Sequence, residues 1–193
     1  FKYAVMGTVS STLILLGIAL IYSQTSALNM AVIGRTINTS DSLSILALIF
    51  LFAGFGLKAA VVPFHAWLPD AHSSAPAPIS AILSGILIKT IGIYLIVRIG
   101  FNIFGVSQVF LNVLLIVGAL SAIIGVLLAI GQMDIKRLLA YHSISQTGYI
   151  LLGIGLGTPL GIMGGLFHLL NHATFKSLLF LNSGSVEYST GVR

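Results

Sequence analysis

Six long apolar runs, at about residues 3–24, 43–68, 76–99, 109–132, 138–156 and 159–183, constrain this chain more than any other feature. A helix needs about 20 residues to cross the hydrocarbon core of a bilayer, and every run has about that length. Strands of a membrane barrel would be about 10 residues long with alternating polarity, and no part of the sequence alternates in that way. Charge points the same way. Only 7% of the 193 residues are charged while 57% are apolar, against roughly 25% charged in ordinary soluble domains. So few charges cannot give a globule of this size a water-compatible surface. The sequence predicts an all-α integral membrane protein of about six transmembrane helices.

The charges that remain are informative by their scatter. Nine basic and four acidic residues leave a formal charge of +5. The basic residues stand singly, without the clustered patch and interleaved aromatics of a nucleic-acid surface, so no nucleic-acid partner is expected. The absence of cysteine excludes disulfides, thiolate metal sites and iron–sulfur ligation within the chain. The first apolar run is too long for a cleavable signal peptide and lacks a small-residue cleavage site. Phe1 in place of an initiator methionine, and an end just beyond the last run, lead us to expect an internal portion of a longer protein.

Helix boundaries have chemical causes. Ser73 and Ser74 ahead of Pro76 predict a serine cap and a proline first turn for the third helix. Asp134 is expected to cap the fifth, and Thr158-Pro159 the sixth. Four of the five prolines lie between Pro63 and Pro78. The second span therefore breaks near Val62-Pro63, since proline removes a backbone donor and clashes with the preceding turn. Such a break at membrane depth needs protein or water to satisfy the freed carbonyls, and in transporters broken helices often mark ion sites. Six spans put Lys2, Lys136, Arg137 and Arg193 on one side and Arg35 and Arg98 on the other. The positive-inside bias then expects the first residue at the cytoplasmic face.

Ionisable residues inside the apolar runs are the candidate site. Lys58 lies five residues before Pro63, and Lys89 lies near the centre of the third run. A charge at the bilayer centre costs about 2.5–3.5 kcal/mol on insertion scales. The competing reading of a membrane lysine is a snorkelling anchor, but Lys89 sits about 15 Å from either end of its run, too far to reach the interface easily. Lysine suits a proton site because desolvation favours its neutral form and a nearby carboxylate reverses that preference. His168, His172 and Lys176 recur every four residues, which on a helix makes one stripe of three titratable groups, with Asn171 and Thr174 nearby. That ladder can hand protons along the helix axis; its rivals are a two-histidine metal site, for which no carboxylate or cysteine is near, and a purely structural pair. His142 opens the fifth span and either extends this path or satisfies neighbouring carbonyls. His65 and His72 flank the Trp67-Leu68-Pro69-Asp70 turn and are expected to be structural or interfacial. Gly161 and Gly165 are spaced for close helix packing. The run Gly54-Phe55-Gly56 superficially fits a dinucleotide pattern, but no strand precedes it.

The stretch from Lys58 through Pro63, Trp67, Pro69 and Asp70 to Pro76, Pro78 and Ser80 resembles the signature of the antiporter-like membrane subunits. These occur in respiratory complex I (NADH-quinone oxidoreductase), multisubunit Na⁺/H⁺ antiporters and energy-converting membrane-bound hydrogenases. Two further blocks, Asp134 to Gln146 and His168 to Lys176, resemble family blocks in the same order. The resemblance implies a fold of about fourteen helices built on two inverted repeats, with about residues 1–99 ending the first and about 109–193 starting the second. It implies that Lys58 is the broken-helix lysine, Lys89 the bridging lysine, and His168, His172 and Lys176 the central relay. His142, where many relatives carry a small polar residue, and Pro63 are accessory candidates. No residue is expected to be catalytic, and the chain is expected to bind no metal or redox cofactor; redox groups would sit in partner subunits. The implied function is proton or Na⁺ translocation within a redox-driven complex, and the expected place is a prokaryotic inner membrane, as a multi-pass subunit beside other membrane subunits. The alternatives are a subunit of a multisubunit Na⁺/H⁺ antiporter, and a membrane scaffold whose polar axis is vestigial.

Overall fold

The computed structural model describes residues 1–191, apart from the side chains of Lys89 and Thr90. The described residues are helices joined by short connections. Helix α1 spans Lys2–Thr25, a short α2 spans Met30–Thr36, and α3 spans Ser42–Ala59. After a break come α4, Leu68–Ser74, and α5, Ala77–Ile82. That last helix runs on without interruption through a π-helical stretch, Leu83–Tyr94, then α6, Leu95–Ile99, and a second π-helical stretch, Gly100–Phe104. Three long helices complete the order: α7, Gln108–Ile130; α8, Ile135–Gly155; and α9, Pro159–Thr190.

Among the described residues, four helical runs are both long and apolar enough to cross a membrane: Lys2–Thr25, Ser42–Ala59, Ala77–Phe104 and Gln108–Ile130. The last two expected spans form helices of 21 and 32 residues whose polar side chains lower their hydropathy. Several of those side chains point inward: Ser143, Ser145 and Thr147 of α8 and His172 and Lys176 of α9 are all buried. Large apolar side chains such as Leu15, Ile123, Leu127, Leu160 and Phe167 cover the outer faces instead. This is the distribution that hydrocarbon solvent selects.

The expected caps divide. Asp134 Oδ1 accepts from Arg137 N at 2.8 Å and Thr158 Oγ1 from Gly161 N at 3.1 Å, with Pro159 opening α9. Ser73 and Ser74, by contrast, do not start the third span. They end α4, and their hydroxyls donate back to the Asp70 carbonyl. Pro76 is the cap residue of α5 and offers no side-chain bond. The reason is local: both hydroxyls bond back to the turn after Pro69, inside α4, and not forward to the helix that Pro76 opens.

The π-helical character of the third span was not legible in its apolar pattern. Its glycines let it lie against two neighbours. A Cβ at Gly85 would stand 2.9 Å from the Ala173 carbonyl oxygen of α9, and one at Gly92 would stand 2.6 Å from the Ala59 Cα of α3. π-Helical turns are frequent at functional sites. Helices α7, α8 and α9 pack in sequence, as do α1 and α3. Gly161 and Gly165 do serve close packing: added Cβ atoms would meet the carbonyls of Gly153 at 2.6 Å and Ile150 at 2.9 Å on α8.

A buried polar line at the candidate functional site

The break in the second span is built from named donors. Helix α3 stops at Ala59, and Ala60 adopts a left-handed conformation with φ of 53°. The Leu57 carbonyl accepts from Ala60 N at 3.2 Å and from Trp67 Nε1 at 2.9 Å. The Val62 amide donates to Ser121 Oγ of α7 at 3.0 Å. Buried backbone groups left unmatched in an apolar setting would each cost several kcal/mol; Ser121 matches the Val62 amide, and Trp67 adds a second donor to the Leu57 carbonyl beside the break near Pro63. The Pro63 ring itself is exposed.

Lys58 sits in the last turn of α3, beside this break, and is half-buried. It lines a cavity of about 70 Å³ with Tyr3 and Ser10 of α1, Trp67, and Leu83 and Ile88 of the π-helical stretch. That is room for a few water molecules. The chain has four acidic residues, and each is engaged elsewhere. Asp41 accepts from Leu43 N and Gln24 Nε2, Asp134 caps α8, Asp70 pairs with Lys2 and Arg137, and Glu187 pairs with Lys136. Among the described residues, therefore, no carboxylate answers Lys58.

The ladder on α9 has the expected stripe. The rings of His168 and His172 stack at 6.1 Å between centroids with 22° between planes, and His172 and Lys176 are completely buried. The hydrogen bonds that join its two ends, however, run through α8. Lys176 Nζ lies 3.1 Å from His142 Nδ1. His142 Nε2 faces Gln146 Nε2 at 3.5 Å, and Gln146 Oε1 lies 2.8 Å from His168 Nε2. The polar line thus reads Lys176, His142, Gln146, His168, across two packed helices. His142 is an integral member of it. Gln146 was missed as a site residue, although its spacing of four from His142 places both on one face of α8. Asn171 and Thr174 are exposed, away from this line, and Thr174 Oγ1 donates to the Asn171 carbonyl.

His72, expected to be structural or interfacial, lies inside the fold. It is completely buried, and its ring stacks on Phe180 at 4.5 Å. The same phenyl ring lies 5.9 Å from Lys176 Nζ, so His72 prolongs the line toward the face that carries Lys2, Asp70 and Arg137. His65 stays in the break and is half-buried. The π-helical stretch ties this line to α3: Ser84 Oγ and Ser143 Oγ lie 3.0 Å apart, and Gly92 abuts Ala59. Lys89 belongs to that stretch by its backbone; its side chain lies outside the described residues, as does Arg193. Among the described residues no group of three His, Cys, Asp or Glu could hold a metal ion.

At the face where α4 ends, Asp70 bonds Lys2 and lies 3.3 Å from Arg137. The hydrogen bond from Lys2, with the added attraction of Lys2 and Arg137 and against partial burial, holds its carboxyl below the ordinary value. Lys136, expected as a loop charge, is instead nearly enclosed. Its amine meets Glu187 Oε2 at 2.6 Å and donates to the Ala75 carbonyl at 3.4 Å. Glu187 is within reach because α9 runs past Ser183 and ends only at Gly191, in the left-handed conformation.

A family model described as NADH:quinone oxidoreductase/Mrp antiporter, TM, matches residues 1–192. NADH-quinone oxidoreductase subunit N of Desulforudis audaxviator (strain MP104C) is 38% identical, over 100% of this chain and 39% of that protein. Hydrogenase-4 component B of Escherichia coli (strain K12) is 37% identical, over 95% of this chain and 29% of that protein. A chain in the structure of the Mrp complex from Dietzia sp. DQ12-45-1b superposes with a TM-score of 0.92 at 37% identity, covering 100% of this chain and 36% of that one. The chain thus spans less than two fifths of the length of each of these relatives.

Proposed function

The chain belongs to the NADH:quinone oxidoreductase/Mrp antiporter transmembrane family, and from that premise we propose that the protein moves protons or Na⁺ across the membrane as an antiporter-like subunit of a larger complex. The carrying observation is the line of four polar side chains, Lys176, His142, Gln146 and His168, held at 2.8–3.5 Å inside packed apolar helices. Ionisable groups in such a setting are costly unless they serve transport or one another. Lys58, at the break and against a cavity, is the switching site in this reading. Lys89 is the bridge toward α9, and His168, His172 and Lys176 are the central axis, with His142 drawn in as a full member. Residues of about 1–99 close one inverted repeat and about 109–193 open the next.

The partners in this reading are other membrane subunits, since the relatives are named as subunits or components of NADH-quinone oxidoreductase, a hydrogenase and the Mrp complex. Redox chemistry belongs to those partners, and the membrane is a prokaryotic inner membrane. Lys58→Ala tests the proposal in vesicles carrying the assembled complex. Coupled ion flux should vanish while assembly survives; flux at the wild-type level overturns the role of Lys58.

A further inference from the structure

Building on that reading, we infer that Gln146 is a positioning residue whose side-chain amide allows a proton on only one of the two imidazole Nε2 atoms that face it, and so ties the charge of Lys176 to the protonation of His168 Nε2. The amide has one accepting end and one donating end. Its oxygen lies 2.8 Å from His168 Nε2 and its nitrogen 3.5 Å from His142 Nε2. In that orientation His168 Nε2 carries a proton and donates it, while His142 Nε2 is bare and accepts. Rotating the amide by half a turn reverses both requirements. Two protonated Nε2 atoms would set a donor against the amide nitrogen, and two bare ones would set an acceptor against its oxygen. Either mismatch leaves buried polar groups unmatched.

Lys176 enters through the other nitrogen of His142, 3.1 Å from its amine. A charged Lys176 donates into Nδ1, which must be bare, so a neutral His142 ring carries its proton on Nε2. The amide oxygen then faces His142, and His168 Nε2 is bare. Only a neutral Lys176 can accept from Nδ1–H, an arrangement that leaves His142 Nε2 bare and turns the amide oxygen to His168. With Nδ1 of His168 protonated in both patterns, Lys176 loses one proton and His168 gains one at Nε2, becoming an imidazolium, while the His142 proton moves from Nε2 to Nδ1. The total is unchanged. The amide neither gains nor loses a proton; it selects which pattern is stable, and a glutamine reaches both rings only because α8 and α9 pack face to face.

The test is solid-state nitrogen NMR of histidine-labelled, full-length protein in lipid vesicles, which separates protonated from bare ring nitrogens. In the wild type, one of the two Nε2 atoms should be protonated and the other bare. Gln146→Glu keeps the size of the side chain but offers two acceptor oxygens, so both Nε2 atoms should become protonated. Two protonated Nε2 atoms in the wild type, or a pattern that Gln146→Glu leaves unchanged, overturns the inference. Where the carboxylate variant fails to assemble, the wild-type pattern decides by itself. The readout is independent of ion flux, so loss of the transport reading and loss of this one are distinguished.

Discussion

Lys176 Nζ, completely buried on α9, lies 3.1 Å from Nδ1 of His142 on α8, 34 residues earlier in the chain. The amine is thereby within hydrogen-bond distance of a neighbouring helix. If the pair works as a unit, His142→Ala and Lys176→Ala should each lower coupled flux by roughly tenfold or more, and the double variant should be little worse than either single one. Flux assays on the three variants decide this. Losses that simply multiply would mean that the two residues act separately.

Glu187 answers a lysine that is 4% exposed. Glu187→Ala leaves that charge buried without its carboxylate and should cost about 3 kcal/mol or more, whereas replacing both partners with apolar residues, Lys136→Met with Glu187→Leu, should recover most of the loss. Chemical unfolding in detergent measures the difference.

Acid should loosen the face where α4 ends. The folded Asp70 carboxyl is held below its ordinary value by Lys2 and Arg137, so the unfolded chain binds the proton more readily. The stabilisation is present above about pH 4 and is lost as pH falls through the depressed folded value. It is small, because the pair is exposed. Asp70→Asn should flatten this acid limb in thermal unfolding, and an unaltered limb would exclude the pair as its cause.

Ser121 holds the break from the neighbouring α7. Ser121→Ala strands the buried Val62 amide and should cost about 1–3 kcal/mol. Ser121→Thr, which retains the hydroxyl, should cost less in the same unfolding assay.

Helix existence, the break near Pro63 and the caps at Asp134 and Thr158 were legible because each rests on local chemistry: run length, a missing amide donor, a side-chain oxygen within three residues. The stripe of His168, His172 and Lys176 was legible for the same reason, since helical periodicity alone places them on one face. Other features needed the fold. Ser73 and Ser74 close α4 by bonding back to the Asp70 carbonyl, and the π-helical run from Leu83 lies where Gly85 and Gly92 are wedged between α9 and α3. His72 becomes buried only because Phe180, more than a hundred residues away, stacks on it. By itself the sequence determined that costly charges lie inside apolar helices. Only the tertiary structure decided which groups touch, because a hydrogen bond such as Lys176 to His142 depends on how two helices pack, and packing joins residues that no sequence spacing relates.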